Sequence, residues 1–281
     1  MIDLHVHTTV SDGTLTPREV VRLAAAKGLS AIAITDHDTV MGVSEAQEEG
    51  ALADIEVVAG VEISSRSDKG VLHILGYFVD VKFPRLLKRL DFLKRGRLER
   101  IPQMLEKLKG LGISIREQDV LRETGGGVPG RPHIAVIMAR RGYVSTPQEA
   151  FDYYLRKGGP AYVKKAKLAP GEAVRLIRQA GGVPVIAHPY LLGEKDTAGL
   201  EQLVGDLVSH GLGGIEVYYP EHTLEQTQAY LEVVRRFGLA ITGGTDFHGA
   251  NKPGVALGVI PGVPPLSASL LEDLRSRKGS A

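Results

Sequence analysis

Short apolar runs at residues 2–6, 31–35, 56–63, 72–78, 183–187, 214–218 and 239–242 alternate with amphipathic helical patterns, and a weaker eighth run lies at 255–260. Apolar runs of this length bounded by turn residues read as buried strands. Their alternation with helices is the pattern of an α/β chain with a mainly parallel sheet. Seven or eight such strands suffice to close, or nearly close, a barrel. The first connecting helix reads as residues 17–27, with Thr16 as N-cap, Pro17 at the first helical position and Gly28 just past the end. From residue 83 to about 162 the pattern is helical with no comparable strand-like run. The expected organisation is a barrel of residues 1–82 and 163–281 interrupted by an inserted helical cap at 83–162.

Composition sets the remaining bounds. A chain of 281 residues with 43% hydrophobic and 24% charged residues is globular, and long enough for a large core domain that carries an insertion. Cysteine is absent, so disulfides, thiolate metal sites and cysteine nucleophiles are excluded, and any metal must be held by His, Asp and Glu. No apolar run approaches the roughly 18 residues of a membrane span, and the N-terminus lacks a basic segment followed by an apolar stretch. A cytoplasmic protein with no membrane association is therefore expected. The net charge of +1 conceals an asymmetry: residues 81–170 hold 20 Lys and Arg against 8 Asp and Glu, leaving −11 on the rest. A cationic insertion facing a carboxylate-rich core that binds cations suits an anionic substrate.

The core's metal-ligating residues keep a common phase. His5 and His7 close the first run, and alternate residues of a strand share a face, so two imidazoles project side by side. Asp12 follows in the next turn. His37 lies at the end of the second run, Glu62 at the end of the third, His73 at the start of the fourth, His188 at the end of the fifth, and Asp246 and His248 just past the seventh. In a βα barrel the strand C-termini converge on one rim, so these residues are expected to meet there. Nine candidates exceed the needs of one ion, and two or three divalent ions fit better. Imidazole plus carboxylate without sulfur suits Mn, Fe or Zn and does not choose among them. A carboxylate bridging ions about 3.5–4 Å apart would hold a shared water and lower its pKa. Asp36 and Asp38, either side of His37, read as supports that orient ligands or close the turn.

The motifs taken together are more specific. His-x-His-Thr-x-x-Ser-Asp-Gly from His5, Thr-Asp-His-Asp from Thr35, Gly-Val-Glu-Ile-Ser from Gly60, His-Ile-Leu-Gly-Tyr from His73, Ala-His-Pro from Ala187 and Gly-Gly-Thr-Asp-Phe-His-Gly from Gly243 span nearly the whole chain. In this order they resemble the motif series of the PHP (polymerase and histidinol phosphatase) family. The resemblance implies a distorted (β/α)7 TIM-like barrel with up to three metals at its C-terminal rim. Carried onto this sequence, it implies one site from His5, His7, Glu62 and Asp246, and a second from bridging Glu62 with His73 and His188. Asp12, His37 and His248 would form a third. His188 or His248 would assist the departing alkoxide.

The insertion narrows the substrate. Gly130-Arg131-Pro132-His133-Ile134-Ala135 and the segment 151–163 resemble the cap of family members that act on nucleoside 3',5'-bisphosphates and short 5'-phosphorylated RNA. The chemistry is consistent: Arg131 offers a bidentate fork to a phosphate and His133 adds a hydrogen bond. Lys157, before Gly158-Gly159, and His222, after the sixth run, are further candidates for substrate contact. Gly125-Gly126-Gly127 lacks a Walker Lys-Ser/Thr and reads as a loop. His210 precedes Gly211 at a helix end, where it complements the helix dipole and is assigned no role; Tyr190 reads as packing.

The resemblance thus predicts a metal-dependent phosphoesterase that releases the 3'-phosphate of nucleoside 3',5'-bisphosphates while Arg131 and His133 hold the 5'-phosphate. By the same geometry it would trim short single-stranded RNA in the 5'-3' direction. No obligate protein partner is expected. Three alternatives share parts of this reading. Histidinol-phosphate phosphatase uses the same site chemistry, but the Gly-Arg-Pro-His segment argues against it. A non-catalytic metal or nucleic-acid binding module is disfavoured by the full ligand set. Hydrolysis of C–N bonds is open to the barrel, since fold does not fix function, but the cationic insertion points elsewhere.

Overall fold

Seven strands lie side by side in chain order: β1 (Ile2–Val6), β2 (Ala31–Ile34), β3 (Glu56–Ser65), β4 (Leu72–Tyr77), β5 (Val183–Ile186), β6 (Gly214–Tyr218) and β7 (Ala240–Gly243). This is the arrangement in the computed structural model, which describes residues 1–68, 70–124, 127–193 and 197–279. Beyond β7, Phe247 accepts a hydrogen bond from His7 N and donates one to His5 O, which nearly closes the sheet into a barrel. Neighbouring strands are parallel except at β3–β4 and β4–β5, which are antiparallel. The reversal has a local cause. β3 ends at Ser65 and β4 starts at Leu72, too short a link for the dozen or more residues a parallel crossover needs. β4 therefore starts at the rim where its neighbours end, which brings His73 to the same end as the other candidates. The expected eighth strand at 255–260 is instead turns and irregular chain. The barrel reaches its near-closure without it, and Gly258 N donates to buried Asp3.

The helices are α1 (Pro17–Ala26), α2 (Val43–Ala53), α3 (Pro84–Gly110), α4 (Glu117–Glu123), α5 (Arg131–Arg140), α6 (Pro147–Ala150), α7 (Pro170–Gln179), α8 (Thr197–Val208), α9 (Leu224–Phe237) and α10 (Ala268–Ser276). α1 starts as expected: Thr16 Oγ1 accepts from Glu19 N, and Glu19 accepts from Thr16 N. Such a capping box stabilises a helix start by about 1 kcal/mol.

Strand alternation divides the core. Ile32, Ile34, Val61, Ile63, Ile74 and Ile215 pack outward on Val20, Val21, Val43, Ile177 and Val233 of the helices. Residues of the other parity, including Ala33, Val58, Leu75, Tyr77, Val185 and Ala240, pack inside the ring with Leu271 and Leu274 of α10. A third cluster belongs to the helical segment after β4 and joins Ile101, Met104 and Leu108 of α3 to Val120, Ile134, Met138, Leu155 and Ala161. α3 bridges two cores, because its first half buries Leu86, Leu90 and Leu93 against the barrel helices.

Candidate active site

The rim loops are held in place by buried aspartates, each of which binds the next loop. Asp36 accepts from Thr8 N at 2.8 Å, Thr8 Oγ1 at 2.7 Å and Ser11 Oγ at 2.6 Å, which fixes the turn that carries Asp12. Asp3 accepts from Thr245 N at 2.9 Å and so fixes the loop that carries Asp246. Asp38 accepts from Ser64 N and Ser64 Oγ, both at 2.8 Å, which ties the second strand's loop to the end of β3. Asp38, His188 and Asp246 have positive φ values of 56°, 27° and 53°. Backbone strain in non-glycine residues costs about 1–3 kcal/mol each and gathers at functional sites. Glycine is required at Gly244, where a Cβ would lie 2.4 Å from the Cβ of His5.

On this scaffold all nine expected ligands meet. Glu62 is the hub: Oε1 lies 2.6 Å from His73 Nδ1 and 2.9 Å from His188 Nε2, and Oε2 lies 2.8 Å from His37 Nδ1 and 3.2 Å from His7 Nε2. Asp246 Oδ1 is 3.3 Å from His5 Nε2, 3.1 Å from His7 Nε2 and 3.5 Å from His248 Nδ1. Asp12 Oδ1 is 3.3 Å from His248 Nε2 and 3.8 Å from His7 Nδ1. Among the described residues, three groups have ligand atoms close enough to share an ion: His5, His7, Glu62 and Asp246; His7, Asp12, His37 and His248; and His37, Glu62 and His73. The first is the expected set. His7 and His37 also reach neighbouring groups, and His188 joins through Glu62 and through His73 Nδ1 at 3.3 Å.

The donor set fits cations better than it fits itself. Asp12 Oδ1, Glu62 Oε2 and His37 Nδ1 are buried without a hydrogen-bond partner. His37 Nδ1 and Glu62 Oε2 approach to 2.8 Å but do not align as a hydrogen bond. Buried polar atoms without partners are costly, and lone pairs that converge in this way are satisfied by a divalent ion. Charge is also strongly coupled. Burial favours the neutral form of His7, yet Asp246 and Glu62 outweigh it and push the ring up to about 10. Burial pushes His73 down to about 3 in spite of Glu62. Burial raises the carboxyls of Asp12, Glu62 and Asp246, but the surrounding imidazoles hold all three far below the usual range.

Several contributors carry no sequence signal as strong as the ligands. Glu216, in the middle of β6, lies 2.9 Å from His5 Nδ1 and accepts from His188 N at 2.7 Å, so it directs the His5 Nε2 edge into the cluster. A lone acid inside a five-residue apolar strand was its only mark. The cations are a larger omission. Arg97 and Arg100 of α3 are 6% and 5% exposed. Arg97 binds Asp38 through Nε at 2.9 Å, and Lys165 Nζ donates to Ser64 Oγ at 2.5 Å. Among the described residues Arg100 faces no carboxylate: its Nε has no partner, its NH2 donates to Met104 Sδ and its guanidinium lies over the Tyr162 ring. Burial, with Arg131 and Arg97 nearby, pushes Arg100 down to about 10. Arg131, Lys165 and Lys167 are likewise lowered by burial and by neighbouring cations, Arg97 beside Arg131 and Lys165, and Lys157 and Arg131 beside Lys167.

The other expected contacts fall as follows. Arg131 joins this cation group, donating NH1 to Leu155 O at 2.9 Å, with its guanidinium over the Phe151 and Tyr162 rings. His133 is buried and its Nδ1 accepts from Gly130 N at 3.0 Å, capping α5; the ring also lines a cavity of about 230 Å³ with Thr9, Thr14 and Asn251. Lys157 donates to Asp68 O at 3.3 Å. His222 packs among Tyr190, Tyr219 and Tyr230 and donates Nδ1–H to Val217 O. Of the triple glycine, Gly125 and Gly126 lie outside the described residues.

Comparison with known proteins places this geometry in context. The model of the PHP domain matches residues 3–244. A Chromobacterium violaceum protein named 3',5'-nucleoside bisphosphate phosphatase is 34% identical over 277 residues, 98% of this chain and 97% of its own. A Haemophilus influenzae 5'-3' exoribonuclease is 34% identical over 246 residues, 88% of this chain and 89% of its own. A solved structure of an amidohydrolase from Chromobacterium violaceum, with bound sulfate and no metal, superposes with a TM-score of 0.87 at 34% identity, covering 98% of this chain and 96% of that one.

Proposed function

The chain belongs to the PHP domain family and is a metal-dependent phosphoesterase, and we propose that it releases the 3'-phosphate of nucleoside 3',5'-bisphosphates. The observation that carries this reading is a cation group beside the imidazole and carboxylate cluster, with Arg97 and Arg100 buried and Arg131, Lys165 and Lys167 half-buried. Asp38 is the carboxylate paired with it, through Arg97 and Lys165. Burying unpaired charge costs several kcal/mol. Arg100, desolvated and without a carboxylate, is a site prepared for an incoming anion. The two charge groups adjoin through β3. Glu62 and Ser64 share one face of that strand two residues apart, about 7 Å at the strand rise, and Ser64 receives Lys165. A substrate with two phosphates separated by a sugar matches that pair of groups, which a monophosphate does not.

Divalent ions, which we propose are Mn, Fe or Zn, would be held by His5, His7, Asp12, His37, Glu62, His73, His188, Asp246 and His248. When bound they supply Lewis-acid polarisation of phosphoryl oxygens and lower the pKa of water. The chain's own residues do the rest. Glu216 fixes the His5 ring, and His248 Nδ1 donates to Asp246 O at 2.8 Å, which turns its Nε2 toward Asp12. His188 and His248 are the groups proposed to assist the leaving alkoxide. Arg131 and Arg100 hold the 5'-phosphate, with His133 closing the helix start that presents Arg131. The same hold on a 5'-phosphate permits 5'-3' trimming of short single-stranded RNA. Lys157 and His222 receive less support, one lying on Asp68 and the other within an aromatic packet.

The test compares adenosine 3',5'-bisphosphate with 3'-AMP in the native protein and in Arg131→Ala. Charge-assisted hydrogen bonds contribute about 1.5–3 kcal/mol, so kcat/KM for the bisphosphate should exceed that for 3'-AMP by about 10- to 100-fold and Arg131→Ala should erase most of the difference. Equal kcat/KM on the two nucleotides, or faster hydrolysis of histidinol phosphate than of either, rejects the assignment.

A further inference from the structure

Asp246 differs from Glu62 in the company kept by its second oxygen. Glu62 turns both oxygens toward imidazole nitrogens. Asp246 turns only Oδ1 inward, toward His5, His7 and His248. Its Oδ2 accepts from Tyr219 OH at 2.8 Å and from Lys252 Nζ at 3.0 Å. Lys252 also donates to Tyr219 OH at 2.8 Å, pairs with Glu221 Oε1 at 3.3 Å and sits 4.8 Å from the centre of the Tyr219 ring. An ammonium has three N–H donors, and here it meets three oxygens, of Tyr219, Asp246 and Glu221. Lys252 therefore keeps no donor for a substrate phosphate, although it lies at the rim.

The chain placement supports a built device. Tyr219 directly follows β6, and Lys252 follows the short 3-10 turn Gly249–Asn251 beyond β7. That turn is itself pinned, since Ala250 N donates to Thr14 Oγ1 at 2.9 Å and Asn251 Nδ2 donates to Asp12 O at 2.8 Å. Residues from two loops thus converge on a single carboxylate oxygen from its outer side.

We propose that Tyr219 and Lys252 are positioning residues that fix Asp246 as a one-oxygen ligand, sealing Oδ2 and leaving Oδ1 alone to face the cation. This rests on the metal-binding reading above. A carboxylate without such a clamp turns about its Cβ–Cγ bond and can offer both oxygens to one ion, taking a coordination position that a catalytic site keeps open. Outer partners of metal ligands are worth about 10- to 100-fold in affinity or activity.

The experiment is Mn2+ uptake by metal-stripped protein, measured by equilibrium dialysis with metal analysis, on the native chain, Tyr219→Phe and Lys252→Met, with kcat and KM determined for each after loading. The expected result is one Mn2+ equivalent weakened by about 10- to 100-fold, with the other equivalents unchanged and kcat lowered at unchanged KM. Variant titrations that superimpose on the native curve overturn the proposal. So does native Mn2+ affinity with a raised KM in Lys252→Met, which would make Lys252 a substrate contact. Tyr219→Phe removes a single oxygen and carries the test alone should Lys252→Met not fold. A native chain that takes up no Mn2+ instead defeats the underlying metal reading, a result distinct from either.

Discussion

Replacing Arg100 by methionine should stabilise the metal-free protein and damage the enzyme, and both signs follow from the same burial. The guanidinium is almost wholly enclosed, has no carboxylate partner among the described residues, and is pushed from 12.5 down to about 10 by burial and by Arg131 and Arg97. At 1.36 kcal/mol per pH unit, that depression corresponds to about 3 kcal/mol of unfavourable charge burial in the folded state. The sign is that of a base with a depressed folded pKa: the cost is complete at every pH well below 10, so a measurement at pH 7 reads all of it. Methionine keeps the unbranched stem and fills similar space, so about 1–3 kcal/mol should be recovered after packing losses. For a chain of this size each kcal/mol moves Tm by about 2–4 °C. Thermal unfolding of metal-free Arg100→Met should accordingly show a rise of several degrees, while kcat/KM for adenosine 3',5'-bisphosphate falls by about 10- to 100-fold and that for 3'-AMP hardly changes. A variant that unfolds earlier than the native protein and retains its preference for the bisphosphate would refute the idea that Arg100 is held unpaired for an anion.

Three further outcomes follow from the geometry. Glu216→Gln, which weakens the anchor of His5, should lower activity by about 10- to 100-fold with an unchanged circular dichroism spectrum; native activity would show that His5 needs no such support. Gly244→Ala places a methyl group against the Cβ of His5 and should cost about 1–3 kcal/mol by overpacking, read as a lower urea midpoint together with lost turnover. His7 is raised to about 10 in the metal-free protein, so its contribution to stability is complete below its unfolded value of about 6.5 and is lost as pH rises toward 10. Metal must displace that proton, so the rise in Tm on adding Mn2+ should grow from pH 6.5 to pH 9, and a Mn2+ effect that shrinks over that interval would contradict it.

The candidate site was legible to an unusual degree because its residues obey a local rule. His5 and His7 share a face by strand alternation, and Glu62, His188 and Asp246 sit at or just past the ends of strands that a barrel brings to one rim. His73 fits only once β4 runs backwards, a consequence of the short link after Ser65. The eighth strand was misread because residues 255–260 have an apolar composition that serves packing and turns. Arg97 and Arg100 could not be separated from neighbours such as Arg95, which stays exposed, because a basic helix reads alike whichever face is covered; Lys165 lies in irregular chain, which carries no periodicity to mark it.

By itself the sequence determined the strand count to within one, the helical character of the segment after β4 and the nine side chains that gather at the rim, since these depend on residue type and on periods of two or 3.6 that each segment carries alone. Only the tertiary structure decided which cations lose their water, which imidazoles share a carboxylate, and which oxygen of Asp246 faces inward. Desolvation and hydrogen-bond alignment are set by atoms arriving from distant parts of the chain, and no single segment encodes them.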